Sequence, residues 1–410
     1  MSAARPAANL APTAPWAVAE VFAGVGSVAR AFAQATGFQV AYLNDVDQLA
    51  RCTYLANDPP EGVYDVRDVR SVTGRRIRDA ADGRPVAGLL GCPPCQGWSA
   101  AGRRDAADRR NGLLRDFFRL VNSLRPVFFV MENVPSVGDR ADLAAALGTL
   151  RGRYRVWQGV LNAASYGLPQ SRQRVLVIGY HRDTGISPAC PQPTHAGRRP
   201  LWDYRSQQLI EPSPDSLDAL LGAAPRLGAA RSAQYSMRDY YSENMGSLEP
   251  FVTVAEAIGD LVGDNSLPPS GYARWLGAGM LTVANHEPWH HGAALTDRLR
   301  KVKEGCRPPM DATNGRRYYS QAYTRLHRQG LARTITTNFH NPGSGRFLHY
   351  RLDRTLTVRE AARLQGFGDD FVFIGRPGWQ ERLVGNAFPP LWADVIARHV
   401  ASELQPILTG

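Results

Sequence analysis

The chain has 410 residues, 44% of them hydrophobic, which is enough to bury two cores or one core with a large insertion. Its 48 basic side chains against 37 acidic ones leave a formal charge of +11, and all of the basic residues except Lys301 and Lys303 are arginine. That balance points to a polyanionic partner, since guanidinium suits phosphate and guanine. The five scattered cysteines, Cys52, Cys92, Cys95, Cys190 and Cys306, argue against a secreted disulfide framework. With no apolar run of membrane-spanning length, a cytoplasmic protein is expected.

Residues 1–15 are rich in alanine and proline and lack the apolar centre of a signal peptide, so they read as a flexible tail. From Trp16 an apolar run through Val21 and Phe22 leads into a glycine turn. An amphipathic stretch to Thr36 follows, then Val40 to Leu43 with Asp45 at its end, a strand-turn-helix-strand pattern. Further apolar runs at Val86 to Leu90, Val127 to Met131 and Val175 to Tyr180 alternate with helix-like stretches, including Leu113 to Leu124 and Ala141 to Leu150. Such alternation predicts an α/β fold: a parallel sheet with helices on both faces.

After about His181 the chain turns rich in Pro, Gly, Ser, Arg and aromatics, with weak periodicity, and reads as a smaller irregular domain. Ala332 to Asn338 looks β-like within it, and Val358 to Leu364 looks helical. Leu391 to Leu404 again resembles an amphipathic helix, placed to return to the first domain. The expected divisions are a tail at 1–15, a catalytic domain at 16–182, a second domain at 183–379 and a returning segment at 380–410.

Phe22-Ala23-Gly24-Val25-Gly26 sits where the first strand meets the first helix, where glycines permit close backbone approach and the helix start offers free N–H groups. Asp45 can accept both hydroxyls of a ribose, and Asp65 could accept from an adenine amino group. Gly91-Cys92-Pro93-Pro94-Cys95-Gln96 follows the strand Val86 to Leu90, so Cys95 falls at the carboxyl end of a sheet strand, on a loop stiffened by two prolines. A redox pair or half a zinc site is the rival reading of Cys92 and Cys95, but no second Cys-x-x-Cys completes four ligands. Glu132-Asn133-Val134 ends the strand Val127 to Met131 and brings an acid to the same rim. In Gln170-Ser171-Arg172-Gln173-Arg174 two arginines two apart project to one face. His286, His290 and His291 cluster near Trp289, and they read as loop and packing residues rather than a metal centre.

Taken in order, these segments resemble the DNA (cytosine-5) methyltransferase family. The closing stretches Arg354-Thr355-Leu356-Thr357-Val358-Arg359-Glu360-Ala361-Ala362-Arg363-Leu364-Gln365-Gly366-Phe367 and Gly385-Asn386-Ala387-Phe388-Pro389-Pro390 extend the resemblance, which runs from Val18 to about His399. Phe388 and Cys92 depart from it, standing where smaller residues are usual. The resemblance implies a Rossmann-like S-adenosylmethionine-dependent sheet with a target-recognition domain. The reaction it implies moves a methyl group to C5 of a flipped cytosine in duplex DNA, leaving S-adenosylhomocysteine and using no metal. It implies Cys95 as nucleophile, with Glu132, Arg172 and Arg174 gripping the base. The implied cofactor pocket comprises Phe22, Gly24, Gly26, Asp45, Val46, Asp65, Val66, Pro94, Leu113 and Asn386, and the implied DNA contacts are Gln96, Ser99 and Arg172. A bacterial, nucleoid-associated monomer is expected, with a companion restriction endonuclease as a possible partner. The alternatives are an RNA cytosine-5 methyltransferase of the same fold and a DNA-binding homologue without activity.

Overall fold

The computed structural model describes residues 16–57, 62–94, 112–196, 199–214, 216–217, 221, 241, 243–264, 270–277, 282–308 and 321–408. Its centre is a seven-stranded sheet of order β3-β2-β1-β4-β5-β8-β6. These strands are β1 (Ala17–Val21), β2 (Gln39–Asn44), β3 (Val63–Asp65), β4 (Val86–Gly91), β5 (Phe128–Asn133), β6 (Tyr154–Asn162) and β8 (Gln173–His181). A two-residue strand, β7 (Gln170–Ser171), precedes β8.

Side chains alternate along each strand, so the sheet carries two apolar faces. Val18, Val40, Leu90, Phe128 and Ile178 face one cluster, which includes Phe32 of helix α1 (Ser27–Thr36). Ala19, Val21, Leu89, Phe129, Met131 and Val177 face the other, which includes Phe117, Phe118 and Val121 of α4 (Leu113–Leu124). Helices α2 (Gln48–Asn57), α3 (Gly74–Ala80), α5 (Pro135–Gly138) and α6 (Ala141–Gly148) complete the first part of the chain.

The sheet is not wholly parallel, as alternation alone had suggested. β8 runs antiparallel between β5 and β6, pairing Phe128 with Tyr180 on one side and Tyr154 with His181 on the other. The reason is the connection: between β6 and β8 the chain makes only a short 3₁₀ turn, Ala163–Tyr166, and β7, too little for the helical crossover that parallel neighbours need.

The later part holds the hairpin β9 (Leu201–Asp203) and β10 (Gln208–Ile210), and β11 (Ala332–Arg333), which pairs with β7. Only Ala332 and Arg333 of the β-like stretch Ala332 to Asn338 form a strand, because β7, its partner, is two residues long. Helices α7 (Val358–Leu364), α8 (Pro377–Asn386) and α9 (Pro390–Leu408) follow. α7 begins with a capping box, Thr357 accepting from the Glu360 amide while Glu360 accepts from the Thr357 amide. α9 lays Trp392, Ile396, Val400 and Leu404 into the cluster shared with α1.

Gln170 fastens the two parts together. Its Oε1 accepts from the Ile335 amide at 3.0 Å, while Nε2 donates to the Leu364 carbonyl at 3.0 Å and to Gln365 Oε1 at 2.9 Å. The arginines of the closing segment are internal as well. Arg363 pairs with Asp369 and Asp260, and the Arg359 guanidinium donates to the carbonyls of Ala284, Gly368 and Phe371. His286 and His291 bond to Thr357 and Thr355, so both serve as ties to this segment.

Candidate active site

Strand order reverses between β1 and β4, so the loops leaving their carboxyl ends diverge and open a crevice. A cavity of about 1150 Å³ lies there. Phe22 and Gly24 of the turn after β1 line it, as do Asp45 and Val46 after β2, Pro93 and Pro94 after β4, and Glu132 at the end of β5. Arg172, Arg174, Leu113 and Asn386 also line it.

The glycine turn works by conformation at one position and by space at another. Gly24 has φ +52° with nothing within 4 Å of where a Cβ would stand, so its left-handed backbone is needed and the space beside it stays free. At Gly26, φ +72°, a Cβ would meet the Tyr54 ring at 2.6 Å and Leu43 at 3.1 Å. Gly26, expected among the cofactor residues, is therefore a packing position and does not line the cavity.

Asp45 is held from behind, Oδ2 accepting from the Gly24 amide and Oδ1 from the Asp47 amide, each at 2.9 Å. Burial raises its pKa, and those amides act against the rise. Val46 beside it is 66% exposed, a bare apolar side chain at the edge of a cavity. An acceptor for a diol beside an uncovered apolar surface suits a nucleoside, so these residues fit an adenosyl group.

Asp65 and Val66 are not brought to the cavity; Asp68 and Val69 line it instead. The Asp65 carboxylate is taken up by Tyr42 Oη at 2.9 Å, Arg67 Nε at 3.0 Å and Arg76 Nε at 2.7 Å. Partial burial pushes its pKa up, but the two guanidiniums outweigh this and hold it down at about 2.

At the rim of the cavity, Arg174 Nε stands 2.6 Å from Glu132 Oε1, with both side chains nearly buried. Arg172 is buried too, its Nη2 3.5 Å from the Ala387 carbonyl. Asn133 Nδ2 donates to the Pro93 carbonyl at 3.0 Å, tying the end of β5 to the loop that leads toward Cys95. Cys95, Gln96 and Ser99 themselves lie outside the described residues. Cys92 lines the cavity, and its thiol is pushed well above the ordinary range, first by burial and then by the Glu132 and Glu20 carboxylates. A thiol held neutral in this way is a poor nucleophile, which weighs against a Cys92-Cys95 redox pair.

Two contributors were missed from sequence. Glu20, on buried β1, accepts from the Ala29 amide at 2.8 Å and so caps α1, whose N-cap Gly26 has no side chain. Its signal was present: an acid interrupting the apolar run Ala17–Val21. Arg382 of α8 pairs with Asp47 at 2.6 Å and closes the crevice from the C-terminal side, a contact between residues far apart in sequence that no local pattern announces.

A Rossmann-like sheet with a crevice at its switch point, an acid and two guanidiniums on its rim, and β8 turned antiparallel defines a methyltransferase. A family model described as C-5 cytosine-specific DNA methylase matches residues 16–402, and the chain belongs to that family. It is 30% identical over 393 residues to the type II methyltransferase M1.HphI of Haemophilus parahaemolyticus, covering 93% of this chain and 85% of that protein. Likewise it is 30% identical over 399 residues to M.XorII of Xanthomonas oryzae pv. oryzae, covering 94% and 84%. A prophage-encoded E. coli protein described as a DNA modification methyltransferase shares the fold, with a TM-score of 0.64 at 23% identity over 95% of this chain and 99% of that one. The enzyme is thus a DNA cytosine-5 methyltransferase, and no helix among the described residues is long and apolar enough to cross a membrane.

Proposed function

We propose that the protein methylates C5 of a flipped cytosine within a specific duplex DNA sequence, as the modification half of a type II restriction system. The observation that carries this reading is that one cavity holds both the adenosyl-type residues, Gly24, Asp45 and Val46, and the rim residues Glu132, Arg172 and Arg174. Phe22, Gly24, Asp45, Val46, Pro94, Leu113 and Asn386 line the cavity and would hold S-adenosylmethionine, which would supply an electrophilic methyl group. The relatives named type II methyltransferases support the pairing with a restriction endonuclease.

C5 of cytosine is too weak a nucleophile until the ring's aromaticity is broken, so the Cys95 thiolate adds to C6. The Glu132 carboxylate accepts from the exocyclic amine and, after taking a proton from solvent, passes it to N3, drawing electron density toward C5. Arg174 keeps the carboxyl oriented, and with Arg172 it stabilises charge at the base carbonyl. Methyl transfer would break the methyl–sulfur bond of the cofactor and leave S-adenosylhomocysteine; water then takes the C5 proton, the C5=C6 bond re-forms as the C6–S bond breaks, N3 returns its proton to Glu132, and the thiolate is released.

None of these groups can reach a stacked base, so the cytosine is rotated out at a cost of roughly a few kcal/mol. In this reading residues 16–182 carry the chemistry, 183–379 recognise the target, and 380–410 return to the catalytic part. Tritiated methyl transfer offered duplex DNA and transfer RNA in parallel tests the proposal. Label in duplex DNA is expected; label confined to RNA, or to neither, overturns it.

A further inference from the structure

A separate cavity of about 250 Å³ lies beside the β9–β10 hairpin and is lined by Arg205, Arg307, Arg333 and Arg346, with Asp203 the carboxylate among its lining residues. Asp203 is already engaged, accepting from the Arg205 amide at 3.1 Å and the Ser206 amide at 3.0 Å. Four guanidiniums against one carboxylate leave a concentration of positive charge around a small, partly open cavity.

Arg346 is the key to it. The side chain is 6% exposed, and its guanidinium carbon lies 3.3 Å from the centre of the Tyr204 ring. Nη2 donates to Gln321 Oε1 at 2.5 Å, while the buried Nε has no acceptor among the described residues. Burial lowers its pKa to about 10, so it stays charged near neutrality. A buried cation with an idle donor and no facing carboxylate is costly unless an anion arrives.

The cavity's position says which anion. Ser171 lines it, whereas the next residue, Arg172, lines the catalytic cavity. The Arg172 amide donates to the Gln170 carbonyl at 3.1 Å, closing a tight turn at Ser171, so the chain passes from one cavity to the other within a single residue. Arg333 stands opposite Ser171 in the β7–β11 ladder. A ligand in this pocket would touch the residue that precedes Arg172 of the rim.

We propose that this cavity is a clamp for one phosphodiester group of the DNA backbone, with Arg346 at its floor and Arg307 and Arg333 at its mouth. The inference rests on the duplex-DNA reading above. A phosphodiester offers several acceptor oxygens to several forked donors, and its fixed spacing from the flipped base would set the register of the duplex.

The test measures affinity of the full-length chain for random-sequence duplex DNA between about 50 and about 200 mM NaCl. The variants are Arg346→Met and the double variant Arg307→Gln/Arg333→Gln, with Arg398→Gln on α9 as control. Loss of one phosphate contact is expected to flatten the slope of log affinity against log salt by about one, so the wild type loses about 3- to 4-fold more affinity than the variants over that range. Both Arg307 and Arg333 are exposed, so the double variant decides alone if Arg346→Met does not fold. A wild-type slope in the double variant overturns the clamp. Methyl transfer by the wild type is measured alongside: its absence would count against the enzymatic reading, while an unchanged slope with normal transfer would count against the clamp alone.

Discussion

Arg174 and Glu132 form a 2.6 Å ion pair across the antiparallel junction of β8 and β5, at the point where the sheet meets the crevice. The pair depends on β8 being reversed: the residues before its buried run, and not those after it, then stand beside the carboxyl end of β5. A carboxyl held in this way is oriented before any base arrives, which lowers the cost of reaching the reactive geometry.

Glu132→Gln keeps the shape but removes the carboxyl group that relays a proton to N3, so single-turnover methylation is expected to fall by about 10²- to 10⁴-fold. Arg174→Ala is expected to cost about 10²- to 10³-fold. DNA affinity should change far less in both. Titration of DNA beside rapid-quench methylation checks this, and variants losing affinity more than rate would contradict the assigned roles.

Gly24→Ala and Gly26→Ala separate pocket from packing. At Gly26 a Cβ would meet the Tyr54 ring and adopt a left-handed backbone, and about 2 kcal/mol or more of stability should be lost. At Gly24 only the backbone strain applies, about 1 kcal/mol, but the methyl projects into free space beside the crevice and should weaken cofactor binding. Thermal unfolding and calorimetric titration with S-adenosylhomocysteine distinguish the two effects.

Asp45→Ala should lower affinity for S-adenosylhomocysteine by about tenfold or more, as expected for losing hydrogen bonds to a charged acceptor. Asp65→Ala should leave it near wild type, because that carboxylate is occupied by Arg67 and Arg76 outside the crevice. Equal losses in the two variants would place the adenosyl group elsewhere.

Glu20 gives a pH signature. Burial, its largest influence, raises the pKa to about 8, with the Asp45 charge adding to the rise. An acid whose folded pKa lies above its unfolded value of about 4.5 binds more protons when folded, so stability is lost as pH rises from about 5 through 8. Glu20→Gln, which keeps an oxygen for the Ala29 amide, should flatten this part of the profile. Denaturant melts at several pH values measure it, and a wild-type slope in the variant would exclude Glu20 as the source.

Much of the fold was legible because buried parallel strands and amphipathic helices leave local patterns. Leu113–Leu124 and Val358–Leu364 form helices over the expected residues, and Val86, Phe128 and Val175 lie in the strands read from their apolar runs. β6 went unread because it is an edge strand with most of Arg155 to Val160 only half-buried, so its polar and apolar residues do not form a continuous run. That Glu132, Arg172 and Arg174 stand at one rim was legible because each sits at the margin of such a run, and all three line the crevice. Asp65 was misplaced because an acid after a strand looks the same in sequence whether it faces a ligand or a neighbouring arginine. Only the three-dimensional approach of Arg76, eleven residues on, decides between them.

Covalent trapping tests the central claim most directly. Duplex DNA containing 5-fluorocytosine at the target position is incubated with S-adenosylmethionine and either the wild type or Cys95→Ser, then denatured. Because fluorine cannot leave as the C5 proton does, the account predicts a stable protein–DNA adduct that carries the methyl group with the wild type and none with Cys95→Ser. An adduct that survives the substitution, or methylation of ordinary DNA by the Cys95→Ser variant at the wild-type rate, would contradict it.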